Sequence, residues 1–227
     1  MKKGKLFVVA TPIGNLGDIT FRALEILKSV DFIVCEDTRV SSSLLNKYEV
    51  KNKLFVLNAG NEEKKIDMYC KFLLEGQSVA LISDAGSPAI SDPGGRFVNK
   101  AKKNGVEVSG IPGANAAILA LSISGIPTDS FIFEGFLPQK KGRQSKLKLL
   151  ASEERTIVLY ESMYRIEKLL EELSEYMADR FIIVYRELTK MFEESWEGYP
   201  KEILSELPNK TIKGEFVVLI SPPKWKI

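Results

Sequence analysis

The sequence contains no histidine among its 227 residues. Histidine is the usual proton carrier of Ser-His-Asp and Cys-His nucleophile systems and the commonest side-chain ligand of zinc. Its absence excludes those hydrolases, the HExxH metallohydrolases and most zinc sites. Acid–base chemistry must therefore use carboxylates, lysine, arginine, tyrosine, hydroxyl groups or the backbone, and we expect no bound metal.

Cysteines and long apolar runs are also scarce. Cys35 and Cys70 are isolated and lack CxxC spacing, which favours buried free thiols over a disulfide or a metal site. No apolar run approaches the roughly 18 residues that span a bilayer, and the apolar run at 6–10 is too short for a signal peptide. We therefore expect a cytoplasmic protein that has no membrane association.

The sequence has little excess charge of either sign. Its 32 Lys and Arg residues and 30 Asp and Glu residues leave a net charge of +2. That excess is too small to indicate nucleic-acid binding, which must be argued from local clusters of charge. The hydrophobic fraction of 44% and the charged fraction of 27% are typical of a soluble globular protein with one large or two small domains.

Apolar runs alternate with amphipathic stretches along the chain. A strand-like run at 5–11 precedes a turn and an amphipathic stretch, and this order recurs up to a small-residue helix at 114–124. The alternation predicts an α/β fold with mixed, mostly parallel sheets. A Gly/Pro/Asp cluster at 125–129 interrupts the pattern, so we place an N-terminal α/β domain at 1–124 and a C-terminal α/β domain at 125–227.

Four loops rich in Gly and Pro follow predicted strands, at 11–15, 83–95, 111–115 and 134–138. Ligands of open α/β sheets bind at the carboxyl ends of the strands. Glycine lets the backbone approach a ligand closely and proline fixes the loop, so such loops can present amides and carbonyls. One such loop is more often a plain turn, but four in corresponding positions indicate a ligand site. The GxGxxG and P-loop patterns are absent, which argues against a dinucleotide or ATP enzyme.

Eight spaced motifs run along nearly the whole chain. In order they are ATPIGNLGDITFRAL (10–24), CEDTR (35–39), LISDAGSPAISDPG (81–94), IPGANAA (111–117), FEGFLPQKKGR (133–143), YES (160–162), RELTKMFEE (186–194) and KGEFV (213–217). Together they resemble the bacterial 16S rRNA cytidine 2′-O-methyltransferases of the tetrapyrrole methylase superfamily. The resemblance implies two α/β domains with S-adenosylmethionine in a cleft between them, and a homodimer. Its implied substrate is a cytidine ribose in the decoding region of 16S rRNA, in the small ribosomal subunit.

The resemblance also implies, position by position, which residues contact the cofactor. These residues are Pro12, Ser87, Ile90, Asn115, Ala116, Met163, Leu188 and Glu215. Carbonyl oxygens and small, tightly packed walls favour a positively charged sulfonium, whereas fixed cations repel it. The lack of a P-loop is then expected.

Two carboxylates are candidates for a proton acceptor, because each follows a predicted strand in a motif shared with the family. They are Asp37 and Glu161. For Asp37, capping of the next helix is an equal alternative. For Glu161 and the charged residues around it, a structural ion-pair network is the alternative.

Substrate contacts are predicted for cationic residues in the same motifs. They are Arg39, Lys140, Lys141, Arg143, Arg165, Arg186 and Lys190. The run that starts at Lys140 is the only dense positive one, and a solvated helix face would explain it equally well. The family resemblance favours contact with RNA phosphates.

The chain departs from the family where histidines are usual. Asn58 and Gly60 occupy such positions, and MYR follows YES where relatives often have PHR, so a histidine-dependent mechanism is excluded. Some relatives extend beyond KGEFV, and an RNA contact made there is expected to be missing. Two rival functions are a tetrapyrrole C-methyltransferase of the same fold and a non-catalytic RNA-binding module. The FEGFLP, KKGR and RELTKMFEE segments argue against the first rival, and the intact SDAGSP and IPG loops argue against the second.

Overall fold

The computed structural model describes residues 2–225 and divides into two compact units. One unit ends at Asn115 and the other begins at Ala116. Each has its own five-stranded sheet, and the predicted α/β class is confirmed. The division predicted from the sequence lies at the other end of the helix that opens the second unit (α5, Ala116–Ser124). The position of the boundary between independently stable domains stays a prediction.

The first unit alternates strands with helices throughout. Its strands are β1 (Lys5–Val9), β2 (Phe32–Cys35), β3 (Leu54–Val56), β4 (Val79–Leu81) and β5 (Glu107–Ile111). Its helices are α1 (Phe21–Ser29), α2 (Thr38–Lys47), α3 (Glu62–Leu74) and α4 (Gly95–Lys103).

The first sheet is wholly parallel, in the order β3-β2-β4-β1-β5. Strands β2 and β4 are buried along their full length, as expected for parallel strands covered on both faces. One core cluster is centred on Tyr69 and Phe97 from α3 and α4, and a second includes Leu27 of α1 and Leu45 of α2. Because all five strands run in one direction, their carboxyl ends form a single edge, which we call the carboxyl edge of the first sheet.

The second unit begins with α5 and ends with a strand. Its strands are β6 (Phe131–Phe136), β7 (Thr156–Ser162), β8 (Ile182–Arg186), β9 (Glu194–Gly198) and β10 (Glu215–Ile220). Its other helices are α6 (Arg143–Ala151), α7 (Ile166–Tyr176) and α8 (Pro200–Glu206). The apolar stripe that predicts α7 is fully buried in the core of this unit.

The second sheet is mixed, in the order β6-β7-β10-β8-β9. Only β6 and β7 pair in parallel, whereas β10 lies antiparallel between β7 and β8, and β9 is antiparallel to β8. The antiparallel share is larger than the alternation of strands and helices indicates, because the last strand inserts into the middle of the sheet. The carboxyl ends of β6, β7 and β8 therefore meet the starts of β9 and β10 at one edge, which we call the carboxyl edge of the second sheet.

Two simpler features of the sequence also have structural counterparts. Cys35 and Cys70 are buried free thiols, as their isolated spacing predicts. No helix among residues 2–225 has both the length and the apolar character needed to cross a bilayer.

Candidate functional site

The loops that follow β1 and β4 are joined by backbone hydrogen bonds. Thr11 N donates to Gly86 O at 2.9 Å, and Gly86 N donates to Thr11 O at 3.1 Å. The buried Thr11 hydroxyl donates to Ser83 O at 3.1 Å. Gly86 has φ +75°, and a Cβ there would lie 3.2 Å from a methyl carbon of Ile13, so the close approach requires glycine. The two loops form one fixed element at the carboxyl edge of the first sheet.

The loop after β5 packs onto the same element. A Cβ at Gly113 would lie 2.9 Å from the Ala10 Cβ, which leaves no room for any other residue without a shift of the loop. The side-chain amide of Asn115 donates to the Ser87 hydroxyl at 3.3 Å. Three of the four predicted Gly/Pro loops thus lie together, and they bring buried Pro12 close to half-buried Ser87 and Asn115.

The β4 loop contains left-handed backbone at residues that are not glycine. Ala89 has φ 67° and Ser91 has φ 60°, and each costs on the order of 1–3 kcal/mol. Between them, the Ile90 side chain is 46% exposed. Such strain persists only where surrounding contacts impose it, and it is concentrated at functional sites. Ile90 is accordingly an apolar side chain held outward at the carboxyl edge.

Four carboxylates are concentrated at this edge and influence one another. They are Glu36, Asp37, Asp84 and Asp92. Burial, followed by repulsion from Asp92, Asp84 and Asp37, raises the pKa of Glu36. Burial is also the main cause that raises the pKa of Asp84, which accepts a hydrogen bond from Asp37 N at 3.1 Å. The edge has a negative potential that suits a cationic ligand, and no cluster among residues 2–225 is suited to a metal ion.

Glu36 and Asp84 are not among the candidate residues predicted from the sequence. Glu36 directly follows β2 in CEDTR, and Asp84 lies three residues after the end of β4 in SDAGSP. A polar residue at the carboxyl end of a buried parallel strand was the signal that could have identified both.

Asp37 is the N-cap of α2. Its Oδ1 accepts from Arg39 N at 2.8 Å, and its two carboxylate oxygens each lie 3.1 Å from Arg39 Nε. The hydrogen bonds from Arg39 lower the pKa of Asp37 to about 2. This geometry matches the alternative in which Asp37 caps the helix. A carboxyl group with so low a pKa is a weak proton acceptor. The Arg39 side chain itself is 89% exposed.

Glu161 at the end of β7 has no exposed side-chain surface. Its Oε1 lies 2.7 Å from Arg165 Nη2 and accepts from Ser162 N at 2.8 Å, while its Oε2 lies 3.6 Å from Arg143 Nη2. These contacts form the ion-pair network that the sequence left as the alternative. A buried and paired carboxylate is poorly placed to accept a proton from a substrate, so the geometry favours the ion-pair alternative, and a proton-accepting role for Glu161 stays a prediction.

Arg143 is held by ion pairs and hydrogen bonds within the second unit. Its side chain is 3% exposed, and its Nε donates to Glu172 Oε2 of α7 at 2.8 Å. Its Nη1 donates to Pro138 O at 3.2 Å, which fixes the loop after β6. A guanidinium held in this way favours a structural role, and the predicted phosphate contact of Arg143 stays a prediction. Lys140 and Lys141 in the same run are exposed, and for them the phosphate contact stays a prediction.

Arg186 and Lys190 hold the turn between β8 and β9. Buried Arg186 donates to Lys213 O at 2.8 Å and to Phe192 O at 2.9 Å, so its contacts are those of a structural residue, and its RNA contact stays a prediction. Lys190 is partly exposed, and its Nζ lies 2.8 Å from Glu187 Oε1 and 2.9 Å from Glu215 Oε2.

The remaining predicted residues differ in exposure. Leu188 is 6% exposed, and Met163 is half-buried against the core of the second unit. Ala116 is half-buried at the start of α5, and Glu215 is exposed. Arg165 is half-buried, with its guanidinium 5.8 Å from the centre of the Phe136 ring. The cofactor contacts assigned to these residues stay predictions.

Comparison with known proteins identifies a family. Residues 5–203 match the family described as Tetrapyrrole (Corrin/Porphyrin) Methylases. A protein of Thermotoga maritima named Ribosomal RNA small subunit methyltransferase I is 45% identical over 96% of this chain and 98% of its own length. A protein of the same name from Haemophilus influenzae is 47% identical over 96% of this chain and 78% of its own.

A solved structure shares the fold at low sequence identity. It is the uroporphyrin-III C-methyltransferase from Thermus thermophilus, complexed with S-adenyl homocysteine. It superposes with a TM-score of 0.67 at 18% identity and covers 95% of this chain and 97% of its own.

Proposed function

This chain belongs to the tetrapyrrole (corrin/porphyrin) methylase family, and from that premise we propose that it transfers a methyl group from S-adenosylmethionine to ribosomal RNA of the small subunit. The observation that carries the proposal is 45–47% identity, along almost the whole chain, to proteins named for that activity. The finer target in the proposal is the ribose 2′-hydroxyl of a cytidine in the decoding region of 16S rRNA.

The carboxyl edge of the first sheet fits a sulfonium cofactor. The joined loops at 11–15, 83–94 and 111–115 contain no Lys or Arg, and they consist largely of small residues. The nearby carboxylates favour the positive charges of the sulfonium and amino groups. Pro12, Ser87 and Asn115 are the residues that would hold the cofactor, which when bound supplies an electrophilic methyl group.

Rigidity of these loops is what the chain contributes to the reaction. Methyl transfer needs the acceptor oxygen, the methyl carbon and the leaving sulfur nearly in line, and fixed loops impose that alignment. In favourable model reactions, positioning of this kind supplies up to about 7–11 kcal/mol of the barrier. The joined backbone of Thr11 and Gly86, together with the tight packing of Gly113 on Ala10, is the structural support for this step.

Proton removal has a smaller part in the proposal. Asp37 is the predicted proton acceptor that has exposed surface, but a carboxyl with a pKa of about 2 is poorly matched to general-base catalysis near neutral pH. We therefore assign most of the acceleration to alignment, with the hydroxyl proton passing to water as the new bond forms.

Binding of the RNA is assigned to accessible cationic side chains. Lys140 and Lys141 follow β6, Arg39 lies on α2, and Arg165 and Lys190 lie on the turns after β7 and β8. Contacts from these groups to phosphates would provide much of the affinity. The proposal also includes a homodimer, independence of metal ions and a cytoplasmic location, where ribosomal subunits are found.

The decisive experiment uses S-adenosylmethionine labelled on its methyl group and small ribosomal subunits that lack the modification. The expected product is 16S rRNA with one labelled cytidine ribose, located by nuclease digestion and mass spectrometry. Labelling should be unchanged by a chelator, and light scattering should give twice the mass of the chain. Label on a base carbon, or transfer to a tetrapyrrole but not to RNA, would overturn the proposal.

A further inference from the structure

Exposed aromatic side chains are concentrated at the carboxyl edge of the second sheet. Phe136 at the end of β6 is 50% exposed, Tyr164 after β7 is 86% exposed, and Phe192 between β8 and β9 is 66% exposed. No other Phe, Tyr or Trp in the described part of the second unit is exposed. Single exposed apolar residues are ordinary, but a group on one edge indicates a contact surface.

The turn that carries Phe192 is fixed by buried groups. The Phe192 carbonyl accepts from buried Arg186, and Lys190 N donates to Glu187 O at 2.9 Å. Glu187 and Thr189 have φ 52° and 66°, so the turn contains left-handed backbone at two residues other than glycine. A turn held in this conformation keeps Phe192 directed away from the core.

The turn that carries Tyr164 is fixed in a similar way. Arg165 N donates to Ser162 O at 3.0 Å, and the Arg165 guanidinium is paired with buried Glu161. The same guanidinium lies beside the Phe136 ring. Two ordered turns and the end of β6 therefore present flat side chains before any ligand arrives.

Lysines lie at the same edge as these aromatic side chains. Lys140 and Lys141 follow β6 and Lys213 precedes β10, and all three are exposed, whereas Lys190 after β8 is paired with Glu187 and Glu215. Aromatic faces among cations are the combination that binds single-stranded nucleic acid, because bases stack on the rings while phosphates meet the lysines. Bases of a duplex are already stacked on each other and are not available for such contacts.

We infer that the carboxyl edge of the second sheet is a stacking surface for single-stranded RNA, with nucleobases on Tyr164 and Phe192 and phosphates on the lysines. This inference rests on the proposed function for the identity of the RNA. It adds that the methylated nucleotide lies in an unpaired segment whose neighbouring bases are held by aromatic side chains.

The test compares RNA affinity among variants of the full chain. The probe is a fluorescent single-stranded oligonucleotide with the unmodified decoding-region sequence, titrated at several salt concentrations. Tyr164→Leu and Phe192→Leu should each weaken binding about 5- to 150-fold, the range for removal of one base stack. The salt slope should stay unchanged, because neither variant removes a charge.

Two controls distinguish stacking from general damage. Tyr164→Trp keeps an aromatic face and should retain affinity. Phe21→Leu removes an equally exposed ring, 88% exposed on α1 of the first unit, and should have no effect. Thermal melting of each variant confirms that it is folded.

Three results would overturn the inference: both leucine variants bind like the parent, a duplex of the same sequence binds as tightly as the single strand, or the parent binds neither. Failure of the proposed function gives a different pattern. In that case the parent binds the oligonucleotide through Tyr164 and Phe192 but transfers no methyl group to small subunits.

Discussion

Replacement of Glu161 by glutamine tests whether this carboxylate is structural or catalytic. At an effective dielectric constant of about 20, unit charges at the 2.7 Å separation from Arg165 attract by about 6 kcal/mol, and those at the 3.6 Å separation from Arg143 by about 5 kcal/mol. Desolvation of the buried charges offsets much of this attraction. Removal of one partner of a buried pair costs about 3–5 kcal/mol overall, because the remaining charge is left uncompensated.

That loss is a large part of the total stability of about 5–15 kcal/mol that is usual for a folded protein. For a chain of this length it corresponds to a fall in melting temperature of about 6–20 °C. Fluorescence is a suitable assay, because the two tryptophans are Trp196 and Trp225 and both belong to the second unit. Trp196 is buried beside Phe216 in the core of that unit, so its emission reports unfolding there.

The matched control is Glu171→Gln, which neutralises an exposed carboxylate on α7 and should leave the melting temperature nearly unchanged. Glu161→Gln with Arg143→Gln should lose less stability than the sum of the two single variants, because each single change leaves a charge behind. The structural interpretation is refuted if Glu161→Gln melts like the parent but methylates small subunits about 100-fold more slowly at unchanged cofactor affinity.

Four further predictions concern the carboxyl edges. Ser87→Trp should abolish S-adenosylmethionine binding in calorimetry without loss of folding, and normal affinity would place the cofactor elsewhere. Because burial raises the pKa of Asp84, its ionisation costs stability, so Asp84→Asn should melt higher than the parent at pH 7 and equally below about pH 4; a lower melting temperature at pH 7 would contradict this. Asp37→Asn keeps a good N-cap and should retain nearly normal turnover, whereas a loss of about 100-fold would identify a general base. Lys140→Ala with Lys141→Ala should reduce the salt slope of RNA binding by about 0.7 for each phosphate that is no longer neutralised, and an unchanged slope would favour a solvated face.

Sequence patterns were sufficient where the determining contacts are local. The buried stripe of α7 follows from apolar residues three and four positions apart, and its prediction is confirmed. Gly and Pro mark the turns at strand ends for equally local reasons, and three of these turns lie together in the first unit. Parallel strands bring their carboxyl ends to one edge, so the proximity of Thr11, Gly86 and Asn115 follows from the fold class.

Long-range contacts were not predictable in the same way. The insertion of β10 between β7 and β8 depends on pairing between distant segments. The strand-like composition of a segment does not show which other segment it pairs with. Arg143 belongs to a basic run whose other members are mostly exposed, and its burial depends on Glu172, 29 residues further along the chain. A local charge pattern is the same whether one of its arginines points into the core or into solvent.

The carboxyl edges of the two sheets differ in chemical character. The edge of the first sheet has small residues and carboxylates, and burial, followed by repulsion from neighbouring aspartates, raises the pKa of Glu36, while burial is the main cause that raises the pKa of Asp84. The edge of the second sheet has lysines, some of them paired with glutamates, and exposed rings on turns that Arg165 and Arg186 fix. A cationic small molecule and a polyanion favour opposite potentials, so binding of both by one chain is easiest when separate elements provide the two surfaces. In the proposed mechanism histidine is required at neither edge, because alignment by fixed loops is assigned to one and stacking with permanent charge to the other.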